Sequence, residues 1–448
     1  MDIFDILLPP IYLLLILFLA YKYKVKHQHE HTAYKYFLPG LIAKIFGAIL
    51  LGLVYFYYYG GGDTVNYHYT ANALVNVLFS RPTDFLYLYF GNPKVSEFYL
   101  MNSPNAYTFW VNDEYAYFVS KCFMPFSLLA GKSYMTTAIL VASTCYIGVW
   151  NLYMVFIKEF SGLGKQLSIP ILFMPSVIFW GSGILKDSLT FSATCLFVYG
   201  FYYLLVKKNY KIKYFATIIF STYLLLSIKP YILFALLPGS IVWIIALRLN
   251  SIKNGLIKLL AAPIIIGIGA FVTFLAINNL GNRLGQYSLD KVIGTAVNAQ
   301  QDLKQSYYGG NTFDIGDYEP TILGLLSVSH KAIFAALFRP TLIDAKNVVM
   351  LFSALENTVI LGFCIFLLIR LKIFGFFKLA NSHPLVLFSF IFSLFFALSV
   401  GVSISNFGTL VRLKIPCIPF FMASLIIIND MQKKLYINNK AINTETNT

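Results

Sequence analysis

The chain has 448 residues, of which 58% are hydrophobic, 17% are aromatic and only 12% are charged. Soluble domains are about 45–50% apolar and about 25% charged, and the mean hydropathy of this chain is +0.70. The composition therefore excludes a soluble enzyme, a disordered chain and a disulfide-rich secreted domain. The formal net charge of +15 invites a nucleic-acid partner, a question that the placement of the basic residues decides.

Eleven apolar segments indicate helices that cross a membrane, since a bilayer core needs about 20 apolar residues in a helix. The first segment has two acids near its start and no small-residue cleavage site, so we interpret it as a span rather than a signal peptide. Segment 168–185 is interrupted by Pro170 and Pro175, and broken helices at membrane depth often line a cavity. The segments are 3–20, 37–59, 134–157, 168–185, 188–206, 214–228, 231–248, 257–278, 348–370, 384–402 and 415–429.

Basic residues concentrate in every second link between these segments. The positive-inside rule assigns such links to the cytoplasm, which predicts an outer N-terminus and a cytoplasmic C-terminus. Because the basic residues are scattered over short links and form no compact face, we expect no nucleic-acid partner. Two of these links carry Lys22, Lys24, Lys26 and Lys35, and Lys207, Lys208, Lys211 and Lys213.

Two links on the opposite side are long, covering residues 60–133 and 279–347. Within them, Glu114–Leu129 and Ile322–Phe338 are apolar but contain charges, a pattern typical of helices lying along the membrane interface. The alternative is that one of the two stretches is a further span. We predict an all-α, polytopic membrane domain over 1–437 and a disordered cytoplasmic tail over 438–448.

Metal and thiol chemistry have little support in the sequence. The five cysteines show no CxxC spacing, so a disulfide framework is not expected. His27, His29 and His31 alternate along a cytoplasmic link, but zinc sites need three or four well-placed ligands on a scaffold. We therefore predict no cofactor, with a divalent metal left open.

The first chemical motif is the sequence GGGDTVNYHYTANAL at 60–74. Three glycines allow a sharp turn directly after a span, and Asp63 follows at the outer membrane surface. Asp63 is either a helix cap or a general base that accepts a proton from an attacking sugar hydroxyl. Tyr67 and His68 are candidate substrate contacts beside it.

The second motif is PSVIFWGSGILKDSL at 175–189. A proline-interrupted helix turns at 181–183 and presents Lys186 and Asp187 just before the next span. Charges at this depth cost about 2.5–3.5 kcal/mol each at a helix centre, so they pair, face water or serve a site. Either the two form a local structural pair, or Lys186 holds a phosphate as a point charge.

Charged residues near two later spans complete the candidate site. Glu356 lies inside segment 348–370, and an acid at that depth is a candidate functional residue whose alternative role is a structural salt bridge. Arg339 follows an interfacial stretch. Arg412 and Lys414 stand at the outer entrance of the last span against the positive-inside rule, so they bind either anionic lipid headgroups or a pyrophosphate.

The motif around Asp63 resembles the GT-C class of bacterial glycosyltransferases, which use lipid-linked sugars. The likeness lies in Gly62, Asp63, Thr64 and Tyr67 after an early span, opening a long outer loop with interfacial helices. It implies an inverting transfer from a polyprenyl-phosphate sugar with Asp63 as the base. In that class the acidic loop follows the first span, whereas here it follows the second, so the resemblance implies one extra N-terminal span.

The stretch 405–421 with Arg412 is also similar to O-antigen-type polysaccharide polymerases. Together these features predict a glycosyltransferase of the bacterial inner membrane that assembles surface glycans on the extracytoplasmic face. Its partners would be a polyprenyl-linked sugar or glycan and membrane lipids. Lys186, Arg339, Arg412 and Lys414 would hold phosphate, and a second carboxylate would come from Asp113 or Glu114. The alternatives are a repeat-unit polymerase and, in another class, a transporter or flippase for anionic lipids or glycans.

Overall fold

The computed structural model describes residues 3–91, 110, 113–249, 289–305 and 311–445. Within these ranges all regular structure is helical, apart from one isolated antiparallel bridge between Thr312 and Asn406. A helix satisfies its backbone hydrogen bonds within one segment, which is what a chain of apolar segments requires in a bilayer. The all-α prediction is therefore confirmed for the described part of the chain.

The described chain forms two compact units. Unit 1 comprises Met1–Leu204 and Asn209–Lys229, and unit 2 comprises Leu205–Lys208 and Pro230–Thr448. The helices of unit 1 are α1 (Phe4–His27), α2 (Phe37–Leu53), α3 (Asp63–Ser80), α4 (Pro82–Phe90), α5 (Glu114–Leu129), α6 (Tyr134–Glu159), α7 (Gly164–Leu172), α8 (Pro175–Trp180), α9 (Lys186–Phe201) and α10 (Ile212–Ile228).

The helices of unit 2 begin directly after Lys229. They are α11 (Pro230–Leu249), α12 (Leu289–Leu303), α13 (Ile322–Phe338), α14 (Val348–Ala380), α15 (Pro384–Ser403), α16 (Phe407–Leu413) and α17 (Ile418–Glu445). Helix α17 thus continues into the range 438–448, for which the sequence predicts a disordered tail. The interfacial stretches predicted at 114–129 and 322–338 are the helices α5 and α13.

Seven helices of the described residues are long and apolar enough to cross a membrane, and the number rises to eight if the bent pair α16 and α17 forms one span. This fits a multi-pass membrane protein. The seven ranges are Phe4–His27, Thr32–Tyr58, Tyr134–Glu159, Lys186–Val206, Pro230–Arg248, Val348–Ala380 and Pro384–Ser403. Each corresponds to one of the eleven predicted segments, and the bent pair, with an angle of 66° between its parts, covers 415–429.

The three remaining segments are not among these candidate spans, and of the two that the structure describes only 168–185 departs from its prediction as one span. Segment 257–278 lies outside the described residues. Segment 214–228 is a shorter apolar helix, α10, of 17 residues. Segment 168–185 does not form one span but divides into α7 and α8, because Met174 takes an extended conformation before Pro175, as residues that precede proline commonly do.

Candidate functional site

A turn of three glycines sets the position of Asp63. Gly60, Gly61 and Gly62 have φ angles of 70°, 138° and 121°, a backbone region that side chains other than glycine rarely adopt. This glycine turn lets α3 begin at Asp63, shortly after the helical turn Val54–Tyr58 that ends α2. Asp63 thus lies in the first turn of α3, where the helix dipole favours a carboxylate.

The start of α9 is held in place by α2. The Lys44 ammonium, buried in the middle of α2, donates to the carbonyl oxygen of Gly181 in the turn that precedes α9. It also lies 5.3 Å from the centre of the Phe191 ring. Close backbone packing supports this contact, because a Cβ added at Gly47 would lie 2.0 Å from the Ile178 carbonyl oxygen of α8. Lys44 therefore fixes the turn that presents Lys186.

Helix α9 begins part of the way along its neighbour α6. Gly148 of α6 packs against Ser192 of α9, and Lys158 Nζ donates to the Tyr203 hydroxyl at 3.3 Å, so the two helices run in the same direction. At a rise of ~1.5 Å per residue, these contacts place Lys186 level with a point on α6 that is roughly 12 Å from the first residue of α6. The first residues of α9 are therefore recessed relative to the start of α6.

Lys186 forms a half-exposed ion pair with Asp113. Lys186 Nζ lies 3.4 Å from Asp113 Oδ2, and the exposed fractions of the two side chains are 18% and 44%. The other carboxylate oxygen, Oδ1, accepts a hydrogen bond from the Ala116 backbone N–H at 3.0 Å and caps α5. Asp113 thus performs two tasks with two different oxygens.

The next residue of α9 forms a very different pair. Asp187 Oδ1 lies 2.5 Å from Lys229 Nζ at the end of α10, and the exposed fractions of the two side chains are only 1% and 9%. A buried pair of this kind joins the ends of α9 and α10. Asp187 therefore does not pair locally with Lys186, which was one of the two readings of the sequence.

Asp63 lies within electrostatic reach of Lys186, as do Asp113 and Lys229. We call Asp63, Asp113, Lys186, Asp187 and Lys229 the α9 cluster. It holds three carboxylates and two ammonium groups within unit 1. Groups of these two kinds can act as a base and as a cation for phosphate.

Two aromatic rings border the α9 cluster. Tyr67 of α3 stacks on Trp110 with ring centres 4.9 Å apart, and Lys186 Nζ lies 5.8 Å from the centre of the Trp110 ring. His68, the neighbour of Tyr67, belongs to a separate contact. It lies 3.0 Å from the Asn72 side chain and packs edge-on against Tyr134 of α6. Tyr67 and Lys186 thus both contact Trp110, and His68 is packed between α3 and α6.

The remaining predicted site residues lie in unit 2. Arg339 donates to both carboxylate oxygens of Asp344, at 3.1 Å and 2.5 Å, and its guanidinium lies 5.4 Å and 4.9 Å from the ring centres of Phe313 and Phe407. Burial raises the pKa of the Asp344 carboxyl, but Arg339 and the Thr341 hydrogen bonds outweigh it and hold that pKa below its usual value. A protein carboxylate therefore already occupies the bidentate edge of Arg339.

Lys414 lies in the same cluster and is fully buried. Its ammonium donates to the Asn357 side chain at 2.6 Å and to the Arg339 carbonyl oxygen at 3.1 Å. Glu356 is within electrostatic reach of Lys414, whereas Arg412 is half-buried in α16. We call Arg339, Asp344, Asn357 and Lys414 the Arg339 cluster. The role of its cations in binding phosphate stays a prediction.

The sequence did not predict several residues that lie in or beside these clusters. Lys44 is not among the predicted site residues, although a lysine inside an apolar segment is itself a signal of a partner. Asp344 follows Thr341 by three residues, the spacing of a capping box, which the structure shows. Trp110, in contrast, carries no sequence signal that distinguishes it from other loop aromatics.

No group of three or more His, Cys, Asp or Glu side chains is placed to hold a metal ion among the residues described here. Two of the three alternating histidines, His27 and His31, contact backbone groups near them in the chain. His27 Nδ1 lies 2.8 Å from the Tyr23 carbonyl oxygen, and His31 accepts from the Ala33 backbone N–H at 3.0 Å.

In the part of the chain that the structure describes, the fold fits an all-α, multi-pass membrane protein, and a cluster of acids and lysines lies at the recessed start of α9 in unit 1. The chain matches no family model, no curated protein and no solved structure.

Proposed function

We propose that the protein is a membrane glycosyltransferase of the GT-C type, which transfers a sugar from a polyprenyl-phosphate donor on the extracytoplasmic face during surface glycan assembly. The observation that carries the proposal is the position of Asp63 within electrostatic reach of Lys186, in a cluster recessed at the start of α9. The proposal needs only the residues of unit 1.

The chemistry assigns one role to each group. An acceptor hydroxyl attacks the anomeric carbon of the sugar, Asp63 takes the hydroxyl proton, and the bond between that carbon and the phosphate oxygen breaks. The electron pair stays on the polyprenyl phosphate, whose charge grows as it leaves. Lys186 stabilises that charge, because a fixed cation in a low-dielectric site acts more strongly than one in water.

The neighbouring residues support these two groups. Trp110 lies beside Lys186 and stacks on Tyr67, so it offers flat apolar surface next to the ammonium. Lys44 and the Asp187–Lys229 pair fix the start of α9 from two directions. Precise placement matters, since a small displacement of a catalytic group costs about 100-fold in rate.

The test is a transfer assay with purified protein in lipid vesicles. Radiolabelled hexoses and pentoses linked to polyprenyl phosphate serve as donors, and lipid-linked glycans extracted from a bacterial envelope serve as acceptors. We expect the wild type to release polyprenyl phosphate and label the acceptor. Asp63→Asn should abolish transfer at an unchanged unfolding temperature, whereas Asp84→Asn, which lies outside the cluster, should not.

Full activity in folded Asp63→Asn would contradict the assignment of the base. The alternatives give distinct products in the same assay. A repeat-unit polymerase, suggested by the stretch around Arg412, would transfer whole oligosaccharides from polyprenyl pyrophosphate and lengthen the glycan.

A transporter or flippase is favoured by one observation, the broken helices α7 and α8 and the bent pair α16 and α17. Such a protein would move the labelled donor between leaflets without breaking the bond to phosphate. Protection of the label from an added membrane-impermeant glycosidase distinguishes movement from transfer.

A further inference from the structure

Asp113 has a divided role that the proposed reaction does not use. Its Oδ1 caps α5 by accepting from the Ala116 N–H at 3.0 Å, and its Oδ2 lies 3.4 Å from Lys186 Nζ. The cap needs a side-chain oxygen but no charge, because asparagine caps helices about as well as aspartate. The ion pair with Lys186 is the part of Asp113 that needs the charge.

This ion pair is open to exchange, unlike its neighbour. The Asp113 side chain is 44% exposed, and the distance of 3.4 Å is long for a charge-assisted hydrogen bond. The Asp187–Lys229 pair on the adjacent residue is buried at 2.5 Å. An anion from solution or from a lipid headgroup can therefore reach Lys186 by replacing Asp113, whereas it cannot reach Lys229 without taking apart a buried pair.

The charge balance of the α9 cluster opposes a phosphate while Asp113 is in place. Its five residues carry three negative and two positive charges. An added phosphate must therefore displace a carboxylate from Lys186 to gain a cation. The orientation of Asp113, fixed by its cap, places one carboxylate oxygen where such a phosphate oxygen would lie.

We infer that Asp113 is an internal anion that occupies the Lys186 ammonium in the free protein and is exchanged for the phosphate group of the bound ligand. This deepens the proposed function and rests on it for the identity of the ligand, a phosphate ester of a polyprenyl carrier. Asp113 is thus a competitor of the ligand rather than one of its contacts. Removing its charge should strengthen phosphate binding, which is the opposite of what removing a ligand-binding residue does.

The experiment measures binding, not transfer. The full chain is placed in nanodiscs of phosphatidylcholine, which carries no net charge, and three probes are titrated separately: polyprenyl phosphate, inorganic phosphate and phosphatidylglycerol. The variants are Asp113→Asn, Lys186→Gln and the double variant. Asp113→Ser, which also retains a capping oxygen, is a second neutral variant in case Asp113→Asn folds poorly, and thermal unfolding checks each protein.

Asp84→Asn is the matched control. Asp84 forms an ion pair with Arg81 at 3.7 Å in the same unit, with exposed fractions of 35% and 42%. The Asp84→Asn substitution therefore removes one carboxylate from a similarly exposed pair and changes the net charge by the same amount as Asp113→Asn. Any effect of net charge alone should be equal in the two variants.

We expect Asp113→Asn to bind polyprenyl phosphate about 2- to 5-fold more tightly than the wild type, in keeping with the modest strength of a half-exposed ion pair. The gain should shrink as salt rises and vanish in the double variant with Lys186→Gln. Asp84→Asn should bind like the wild type. The same gain with inorganic phosphate or phosphatidylglycerol also supports the exchange and identifies the source of the phosphate.

Unchanged or weaker binding in both Asp113→Asn and Asp113→Ser overturns the inference, because Asp113 then helps to hold the ligand or has only a structural role. A gain that persists without Lys186 overturns it as well, as does the absence of binding by any probe. If the exchange is observed but no donor supports transfer, the proposed function fails and the inference stands.

Discussion

The two clusters use their cations differently. In the Arg339 cluster of unit 2, Arg339 is paired bidentately with Asp344 beside two phenylalanine rings, and the buried Lys414 donates to neutral oxygens. In the α9 cluster of unit 1, Lys186 has a half-exposed carboxylate as its partner. Every cation of the first cluster is engaged by protein groups in good geometry, whereas the second keeps one cation in an exchangeable contact.

The difference shows that a charge near a membrane helix is not by itself a sign of a ligand. The cost of a buried charge is offset equally well by a structural partner. What distinguishes Lys186 is the exposure of its carboxylate partner, 44% for Asp113 against 13% for Asp344, and the long distance to that partner. The comparison can be tested by substitutions whose expected effects on stability run from large to small.

The largest effect should come from the buried pair of the α9 cluster. Asp187→Asn leaves Lys229 buried without its counter-charge, and breaking such a pair costs about 3–5 kcal/mol. We expect a marked loss of unfolding temperature in detergent. A fall no larger than that of Asp113→Asn would contradict the structural role of the pair.

The close packing of α2 against α8 should rank second. Gly47→Ala places a methyl group 2.0 Å from a backbone oxygen of α8, so the helices must separate at a cost of about 1–3 kcal/mol. Gly362→Ala is the control, because nothing lies within 4 Å of its added Cβ in α14. Thermal unfolding should fall for the first variant only; equal values for the two would show that α8 does not hold α2 closely.

The contribution of the Arg339 cluster to the stability of the protein should depend on pH. The pKa of Asp344 is lowered in the folded protein, so its ionised form stabilises the fold above the unfolded-state pKa of about 3.9, and this contribution is lost as pH falls below that value. Unfolding temperature measured from pH 7 to pH 3 should drop more steeply for the wild type than for Asp344→Asn. Parallel curves would mean that the pair contributes nothing to stability.

The smallest effect on stability should come from Lys186. Its pair with Asp113 is half-exposed, and such pairs contribute about 0–1 kcal/mol. Lys186→Gln should therefore unfold within a few degrees of the wild type, in keeping with a shift of ~2–4 °C per kcal/mol. A loss as large as that of Asp187→Asn would make Lys186 a structural residue and remove the contrast between the two pairs.

The helices were largely predictable, because the length of an apolar segment indicates whether it can form a membrane-spanning helix. Seven of the predicted segments are helices long enough to span a membrane. The break before Pro175 was visible as a proline, but the sequence does not tell whether a proline bends a span or divides it. The divided form brings α8 against Gly47, a contact between distant parts of the chain that the sequence pattern does not show.

The site was predictable in its charges and not in its pairings. Lys186, Asp187 and Asp63 stand out because charged residues are rare beside spans. The partners of Lys186 and Asp187 are Asp113 and Lys229, which are distant in the chain. Pairing is set by the register of α9 against its neighbours, and hydropathy contains no information on that register.

The central claim is that the chemistry belongs to the α9 cluster and not to the Arg339 cluster. The most direct measurement is the transfer rate per folded molecule for Lys186→Gln and Arg339→Lys, compared in the same vesicles. We predict that Lys186→Gln loses about 100-fold in rate while remaining stable, and that Arg339→Lys loses stability but keeps its rate per folded molecule. A normal rate in Lys186→Gln together with a lost rate in folded Arg339→Lys would contradict the account.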